Sequence, residues 1–578
     1  MLDTQQSRTR FFRSRNDSLT KLRTYQDHRR EFIHQMVGKW WGKSNWGIDS
    51  ENPVNLILKA YQVYLRMLVA SAPQVLIMTD KEQYKAIAAD AEVVQNRAIE
   101  RSNVEDMLKR WVGSGMFGLG IMKTGLQQAG MEQDPMTGEM LPYGEVFSQN
   151  ISLDAWVHDM SARSLDMDEL TYMGHRFDMP LDQARENTTF KKKIRNQLVE
   201  RSTANSGRSG ARKVESMGAS NKLDVIPMVD LWEYYVPSEN MVYVTTDKEE
   251  DEPLAQYEWT GPEGGPYDFM YFLEIEDNSM PLPPAAGWMD LHRIINTVYK
   301  KEAENAKNAK TNLVYQEGDD EDAQKVVDAD NLEAIGVSNP DSMRDMHFNG
   351  VRPENLAFIV QSLDLANNQM GNLDLMAGLA AQSPTAKQDT LLNANASALS
   401  KEMVDRVYAK TRSVFEKRCW YYWHDPVRTY QDVRTLPNTK DYVKISLTPE
   451  DRAGHWEMFN FDIVPYSMQH RSPEERIAEL DGLMMQMAPM LELMMQSGLM
   501  FDFEAYLQLR AKYRRMPEIL DVIKPMEQPR EQQQPIGERT KQAPVTQRNY
   551  VRENISGGST PAAQTSNQVE SLMGMMSQ

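Results

Sequence analysis

The sequence predicts an α+β protein organised around one long helix. Apolar residues at three- and four-residue steps run through residues 389–423 without a Gly or Pro, which predicts a helix roughly 50 Å long. Several shorter segments in the first half alternate apolar and polar residues, as strands do. With 578 residues, 41% of them hydrophobic, the chain is long enough for roughly two to four domains with buried cores.

Charge and cysteine content exclude several kinds of protein. A net charge of −19 argues against a tight, sequence-specific duplex binder, because such proteins gain most of their affinity from Lys and Arg on phosphates. The single cysteine, Cys419, excludes an intrachain disulfide and a cysteine-based zinc site, and suits a reducing compartment. Residues 1–15 contain four arginines but no apolar segment, so we expect no secretory signal.

One apolar run, residues 54–72, approaches the length of a membrane span. Lys59, Gln62 and Arg66 fall on one stripe of this predicted helix, and apolar residues fill the rest. Two cations near the middle of a span are costly in a bilayer. We therefore predict a buried helix and no membrane association.

The N-terminal third begins with predicted helices at residues 17–36, 53–72 and 81–112. A glycine-rich stretch follows from Gly113 to Gly120, and its first six residues, Gly113 to Gly118, match GxGxxG. The dinucleotide fingerprint needs a strand before the glycines and a helix after them, and here the order is reversed. Lys123 and Thr124 also lie too far from Gly120 for a phosphate loop. The pattern is interpreted as a helix-to-strand turn.

Strands and one basic helix fill residues 121–280. The helix is predicted at 181–200, and its cluster Lys191, Lys192, Lys193 and Arg195 is interpreted as a solvated face, with phosphate contact as the alternative. The predicted strands are residues 121–127, 143–149, 169–177, 229–236, 241–245 and 269–275.

Beyond Pro284 the pattern changes to helices around a compact acidic segment. That segment is predicted to contain a strand at 313–316, a short helix ending at 329 and a strand at 332–337. A small-residue stretch, 377–388, precedes the long helix. Strands are then predicted at 442–447 and 456–464, followed by methionine-rich helices from 473 and a disordered tail rich in Gln, Pro, Ser and Thr.

This order of elements resembles the portal (head-to-tail connector) proteins of tailed bacteriophages, especially the short-tailed type. The resemblance covers roughly residues 17–525 and rests on element order and texture, because that family has no invariant motif. It implies a portal fold with a mixed α/β wing, a two-helix stem, a small α/β clip, a long wing helix, a helical crown and a disordered tail. The implied boundaries are 1–286 N-terminal wing, 287–311 first stem helix, 312–352 clip, 353–376 second stem helix, 377–388 tunnel loop, 389–471 long helix and C-terminal wing, 472–525 crown and 526–578 tail.

The resemblance also implies three functional segments. The tunnel loop would face DNA in the channel without reading its sequence, through Gly378, Ala381, Gln382, Ser383, Thr385 and Lys387. The stem would carry Lys300, Lys301, Lys307 and Lys310, either as rings in the channel or as solvated lysines outside it. The clip would present Asp319, Asp320, Glu321 and Asp322 for docking.

The function that the resemblance implies is structural. The chain would form a ring, expected to be twelve-fold, at one capsid vertex of the virion, after assembly in the host cytoplasm. Double-stranded DNA would pass through it during packaging and ejection. The expected partners are the terminase, then the tail adaptor, together with the major capsid and scaffolding proteins.

Two other classes of function remain alternatives. The first is another structural virion protein, such as an internal core or minor capsid protein, which need not form a closed ring. The second is a nucleotide-binding enzyme. The sequence holds no phosphate loop, HExxH, GxSxG or zinc-ligand spacing, and its nine histidines are scattered. We therefore expect no enzymatic activity, no metal and no cofactor.

Overall fold

The computed structural model describes most of the chain up to residue 468. The described residues are 1–2, 4–37, 54–133, 138–200, 227–248, 252–330, 333–348, 350–371, 373, 386–435, 442–452, 456–464, 467–468, 477, 481–482, 484–486 and 506. The protein is a mixture of helix and strand, 49% helical and 23% strand. This composition agrees with the predicted α+β class.

The helices fall into an N-terminal group, two short helices and a C-terminal group. They are α1 (Gln5–Val37), α2 (Leu56–Leu68), α3 (Lys85–Arg101), α4 (Val104–Met116), α5 (Leu181–Glu186), α6 (Lys192–Arg195), α7 (Pro284–Lys307), α8 (Asp320–Asp328), α9 (Pro353–Gln369) and α10 (Ala386–Trp423). The long helix therefore ends where the sequence predicts, at Trp423. The predicted helix 81–112 is divided at Ser102 and Asn103, and only α5 and α6 form within the predicted helix 181–200.

Sixteen strands are described. They are β1 (Val75–Met78), β2 (Gly120–Gln133), β3 (Met140–Ile151), β4 (Trp156–His158), β5 (Met173–Pro180), β6 (Met228–Val236), β7 (Met241–Thr245), β8 (Ala255–Glu258), β9 (Tyr267–Met270), β10 (Leu273–Ile275), β11 (Asn278–Leu282), β12 (Lys310–Val314), β13 (Arg344–Phe348), β14 (Tyr430–Thr435), β15 (Tyr442–Leu447) and β16 (Asn460–Ile463).

All described strand pairs are antiparallel. Strands β4 to β8 form a five-stranded sheet in sequence order, and β3, β2 and β9 form a three-stranded sheet. The other sheets are the pairs β1 with β16, β10 with β11, β12 with β13, and β14 with β15. The pair β1 and β16 is the longest-range of these, since it joins Val75 to Ile463.

The largest hydrophobic core joins α2, α4 and α7 to the second half of α10. Tyr64 of α2 stacks on Trp288 of α7, with ring centroids 5.5 Å apart. Val407, Val414 and Cys419 of α10 are buried in the same core. Burial raises the pKa of the Cys419 thiol, so this group stays protonated and inert. The long helix is thus held by its bulky C-terminal half.

Two more cores position the β structure. One lies between the three-stranded and five-stranded sheets and buries Ile121, Trp156 and Phe269. The other packs the start of α1 on the five-stranded sheet, where the Phe11 ring meets the Tyr234 ring edge-on at 4.9 Å. The first helix therefore begins well before the predicted residue 17, because Phe11 and Phe12 bury a face that periodicity alone did not single out.

The chain divides into two compact units, Met1–Arg476 and Ile477–Gln578. All the elements given above belong to the first unit. In the second, the Tyr506 hydroxyl donates to Asp481 at 2.5 Å. The predicted crown, 472–525, falls mostly outside the described residues, and the predicted tail, 526–578, falls wholly outside them.

Candidate functional site

Helices α7 and α9 form an antiparallel two-helix arm. The Gln369 side chain at the end of α9 donates to the Gly287 carbonyl near the start of α7, at 3.3 Å. At the other end, the backbone N–H of Arg352 donates to the Glu302 carboxylate at 2.9 Å. Each helix begins at a proline, Pro284 or Pro353, which suits a first turn because proline has no N–H to satisfy there.

The bounds of this arm differ from the predicted stem helices by a few residues. The first helix is Pro284–Lys307, where 287–311 was predicted. The second helix ends at Gln369, where 376 was predicted. Gly371 has φ of 77°, a left-handed conformation that glycine adopts readily just past a helix end. That glycine is the signal that the prediction overlooked.

Glu302 connects the two helices at the far end of the arm. It is buried, and its carboxylate also accepts from the side chains of Asn355 and Asn305. The N–H of Arg352, then Asn355, hold the pKa of Glu302 below its ordinary value. A carboxylate at this position satisfies a free N–H at the start of α9. Glu302 lies among charged residues in the sequence, which gave no sign of its burial.

The predicted stem lysines lie at this end of α7. Lys300, Lys301 and Lys307 are exposed, and with Arg293 they lie on the side of α7 turned away from the buried Trp288, Ile295 and Glu302. Arg293 also pairs with Glu31 of α1 at 3.1 Å. Lys310 is the first residue of β12, and its side chain is outside the described part.

Helix α9 exposes apolar side chains on two flanks. Ile359, Ser362 and Ala366 are buried against the rest of the arm. At about 100° per residue, Leu356 and Val360 lie on one side of this buried seam. Phe358 and Leu365 lie on the other side. The exposed fractions of these four side chains run from 46% to 59%.

The segment between the two helices is a small module of one hairpin and one helix. Strand β12 pairs with β13, from Lys310 opposite Phe348 to Val314 opposite Arg344, and α8 matches the predicted short helix. The predicted strand 332–337 was wrong, since residues 333–337 have no regular structure. Strand β12 pairs with a later segment, Arg344–Phe348, which the sequence pattern did not identify as a strand.

The four acidic residues of this module do not share one role. Asp320 and Glu321 are exposed, and Asp320 accepts from the Tyr315 hydroxyl at 2.7 Å. Asp319 precedes the first turn of α8. Asp322 is buried and accepts from Lys325 and from the backbone N–H of Ser338, each at 2.7 Å. The expectation that all four are exposed docking groups was wrong for Asp322.

Hydrogen bonding also affects the charge of Asp322. The bond from Lys325, followed by the bond from Ser338, lowers its pKa well below the ordinary range. Asp322 therefore stays ionised and links α8 to the loop that returns to β13. Its role in the described structure is to hold the module together.

The predicted tunnel loop lies mostly outside the described residues. This applies to Gly378, Ala381, Gln382, Ser383 and Thr385. Helix α10 begins at Ala386, three residues before the predicted start. Lys387 is therefore a residue of the first helical turn, where a loop residue was expected.

Sequence reasoning missed an aromatic cleft away from the predicted segments 300–310, 319–322 and 377–388 in the chain. It has a volume of about 540 Å³ and lies between the β2–β3 hairpin, the edge strand β8 and the end of α10. Tyr257, Trp259, Trp420 and Tyr421 are among its lining residues. His424 stacks on Trp420 with ring centroids 4.0 Å apart. These residues come from distant parts of the sequence, so no local motif predicts the cleft.

One half-buried ion pair lines this cleft, and a second, buried pair involves α10. Lys123 is 2.7 Å from Glu233, and Lys417 of α10 is 3.0 Å from Asp268. Burial opposes ionisation of Glu233, but Lys123 holds its pKa below the ordinary value. Asp268 also accepts from Ser413 at 2.6 Å. Because each charge has a close partner, the two pairs are structural links between the sheets and α10.

The described residues contain neither a candidate metal site nor a membrane-spanning helix. No group of three or more His, Cys, Asp or Glu side chains there could hold a metal ion. No described helix is both long enough and apolar enough to cross a membrane.

Comparison with known proteins adds no relative. No protein-family model matches the sequence, and no curated protein matches it significantly.

Proposed function

We propose that the chain is the subunit of a portal ring, the structural channel for double-stranded DNA at one vertex of a tailed-phage capsid. The observation that carries the proposal is the two-helix arm with apolar side chains exposed on both flanks of α9. A two-fold dimer needs one self-complementary patch, whereas a ring of repeated head-to-tail contacts needs two different patches on one subunit. The two flanks of α9 supply two such patches.

The charge of the arm supports the same proposal. The outward side of α7 carries exposed Lys300, Lys301 and Lys307 within a chain of net charge −19. In a ring, a few cations among many anions let DNA pass without the strong salt-dependent affinity that many phosphate contacts produce. The module between the arm helices adds ten acidic and two basic residues between 312 and 348.

In this proposal, that module docks the terminase and later the tail adaptor, and the expected DNA contact is the predicted tunnel loop, 377–388, which lies mostly outside the described residues. The major capsid and scaffolding proteins are the other proposed partners of the ring. The protein acts as a structural component and needs neither a cofactor nor a catalytic group.

The ring is tested by class-averaged electron microscopy and native mass measurement of the purified protein. We expect one closed assembly with an axial hole, near twelve subunits. Leu356→Asp with Val360→Asp adds two charges to one flank and should leave monomers or open fragments, because charge is depleted from the core of such contacts.

The matched control is Ala357→Asp with Gln361→Asp, which adds two charges at the same spacing on the exposed face of α9 between the two flanks. This variant should form rings as the native chain does. A native chain that stays monomeric at micromolar concentration, or that forms an assembly without an axial hole, contradicts the portal proposal and favours an internal core or minor capsid protein.

A further inference from the structure

The β2–β3 hairpin extends well beyond the sheet to which it belongs. Strand β2 pairs with β9 only from Gly120 to Lys123, whereas its pairing with β3 continues to Gln133 opposite Met140. The outer part is a two-stranded ribbon, an element that is marginally stable in water by itself. Contact with a surface that covers the ribbon would therefore stabilise it.

A bulge gives this ribbon one apolar face. Leu126 lies opposite Val146, and the register shifts between Gln128 and Gly130. After the shift, Met131 lies opposite Pro142 and Gln133 opposite Met140. Because side chains alternate along each strand, the extra residue brings Met131 onto the face of Leu126, Val146 and Met140. Leu126, Met131 and Met140 are 52%, 53% and 56% exposed.

The base of the ribbon is fixed to the end of α10. Arg418 donates to the Ser148 hydroxyl at 3.1 Å. Arg428 donates to the Gly144 carbonyl, and its guanidinium lies 4.6 Å from the centre of the Tyr143 ring. These contacts reach along the ribbon as far as Tyr143, which lies opposite Gly130, and Met131 and Met140 lie further out. At about 3.3 Å per residue, Met131 is roughly 15 Å from Leu126 along the strand.

The aromatic cleft begins at the same base. Leu126 and Val146 form part of one wall, and Tyr257, Trp259 and Trp420 lie among the other lining residues. Tyr257 is 46% exposed and belongs to β8, which among the described strands pairs with β7 alone. The volume of about 540 Å³ lies within the range of roughly 300–1,000 Å³ typical of binding pockets. Neither Met131 nor Met140 is among the residues that line the cleft.

We propose that the outer half of the ribbon of one subunit lies in the aromatic cleft of the next subunit. Methionine sulfur makes favourable contacts with aromatic rings, and its flexible side chain fills irregular gaps. The inference rests on the ring proposed above, which requires a copy on each side of every subunit. The two flanks of α9 are one pair of different surfaces, and the ribbon and the cleft are a second pair. The same head-to-tail repeat brings the members of each pair into contact between neighbouring subunits.

Site-directed cross-linking tests this contact. One chain carries Met140→Cys, and a second chain, lengthened by a tag, carries Tyr257→Cys. The two are co-expressed and treated with a mild oxidant. The single native cysteine, Cys419, is buried, so each chain presents one accessible thiol. We expect a cross-linked product containing one chain of each length, with rings visible in the same sample.

The matched control replaces Tyr257→Cys by Leu282→Cys, an exposed residue on the separate β10–β11 hairpin, and should give no mixed product. Rings without the mixed product overturn the ribbon contact and leave the portal proposal intact. Cross-linking of Met140→Cys chains to each other also overturns it, because that product indicates ribbon-to-ribbon contact. A chain that forms no ring overturns both.

A second variant tests the contribution of the two methionines without a cross-link. Met131→Ser with Met140→Ser should raise the concentration at which half of the protein is assembled by about tenfold or more, since both exposed apolar contacts are lost. Assembly at the native concentration overturns the inference. Gln127→Ser, a polar and exposed position on the opposite face of the ribbon, is the control and should leave assembly unchanged.

Discussion

Two carboxylates, Glu302 of the arm and Asp322 of the module between its helices, accept hydrogen bonds from the backbone of segments distant in sequence. Glu302 holds the N–H of Arg352, and Asp322 holds the N–H of Ser338. Both residues lie in charged surroundings in which the sequence gives no reason to single them out. Which carboxylate is buried depends on the tertiary structure. Burial distinguishes an acidic residue that holds two segments together from an exposed one that a partner could contact.

This division changes the effect expected from neutralising the acidic cluster. Asp322→Asn removes the charge that Lys325 and the Ser338 N–H stabilise, so hydrogen exchange across residues 313–348 should accelerate. The pKa of Asp322 is lowered, so its contribution is present above an ordinary pKa of about 4 and is lost as pH falls toward the lowered value. Exchange measured by mass spectrometry at neutral pH checks the prediction.

Glu321→Gln is the control, because Glu321 is exposed on the same helix. Its exchange pattern should match the native protein. Equal acceleration in the two variants would mean that loss of charge in general, rather than the buried contact of Asp322, loosens the module. In a docking assay, a variant at the exposed Glu321 therefore tests recognition without removing the buried contact of Asp322.

At the scale of the elements, close packing between α4 and β2 explains why the stretch with the GxGxxG pattern is rich in glycine. A Cβ on Gly120 would lie 2.5 Å from the Trp111 carbonyl oxygen, and one on Gly115 would lie 2.9 Å from the Met270 carbonyl oxygen. The helix and the strands approach one another so closely that a side chain has no room. This confirms the interpretation of the pattern as a helix-to-strand turn.

Gly120→Ala should consequently destabilise the protein by about 2–4 kcal/mol, because the obstructing atom belongs to the backbone and cannot rotate away. Urea unfolding at neutral pH measures the change. Gly118→Ala is the control: its Cβ would meet the Leu153 side chain at an ordinary 3.4 Å, and a loss below about 1 kcal/mol is expected. Similar losses at the two positions would contradict the packing argument.

At the scale of the whole molecule, two buried histidines on the neighbouring strands β4 and β5 link stability to pH. Trp156 donates to Nδ1 of His158 at 3.0 Å, so Nε2 carries the proton and donates to Ser279 at 3.1 Å. His175 bonds the Tyr267 hydroxyl at 2.8 Å. Burial lowers the pKa of His158 to about 4, and burial together with Lys123 lowers that of His175 to about 4. Both side chains are neutral in the folded protein.

Stability should therefore fall as pH drops from about 6.5 toward 4, since the unfolded chain binds protons in this range and the folded chain does not. Between pH 6.5 and 5, each of these histidines costs on the order of 2 kcal/mol. Urea unfolding across this range measures the slope. His158→Gln keeps a donor and an acceptor but cannot ionise, so its slope should be smaller, and an unchanged slope would contradict the assignment.

Local features let the sequence determine much of this fold. Uninterrupted periodicity predicted α10, and its aromatic C-terminal half lies in the core as bulky anchors should. The bounds predicted for β7 and β15 are those observed. In β15 the described side chains alternate between exposed and buried, as they do in a strand covered on one face. The same local information predicted that the glycines after α4 form a turn.

Tertiary structure alone decided which segments pair and which charges are buried. Strand β12 selected β13 over the predicted strand 332–337, because pairing depends on where the chain returns. The burial of Asp322 and Glu302 depends on backbone N–H groups contributed by segments 16 to 50 residues away. The aromatic cleft joins β2, β8 and the end of α10. Local periodicity records which face of an element is buried, but it carries no information on the partner that buries it.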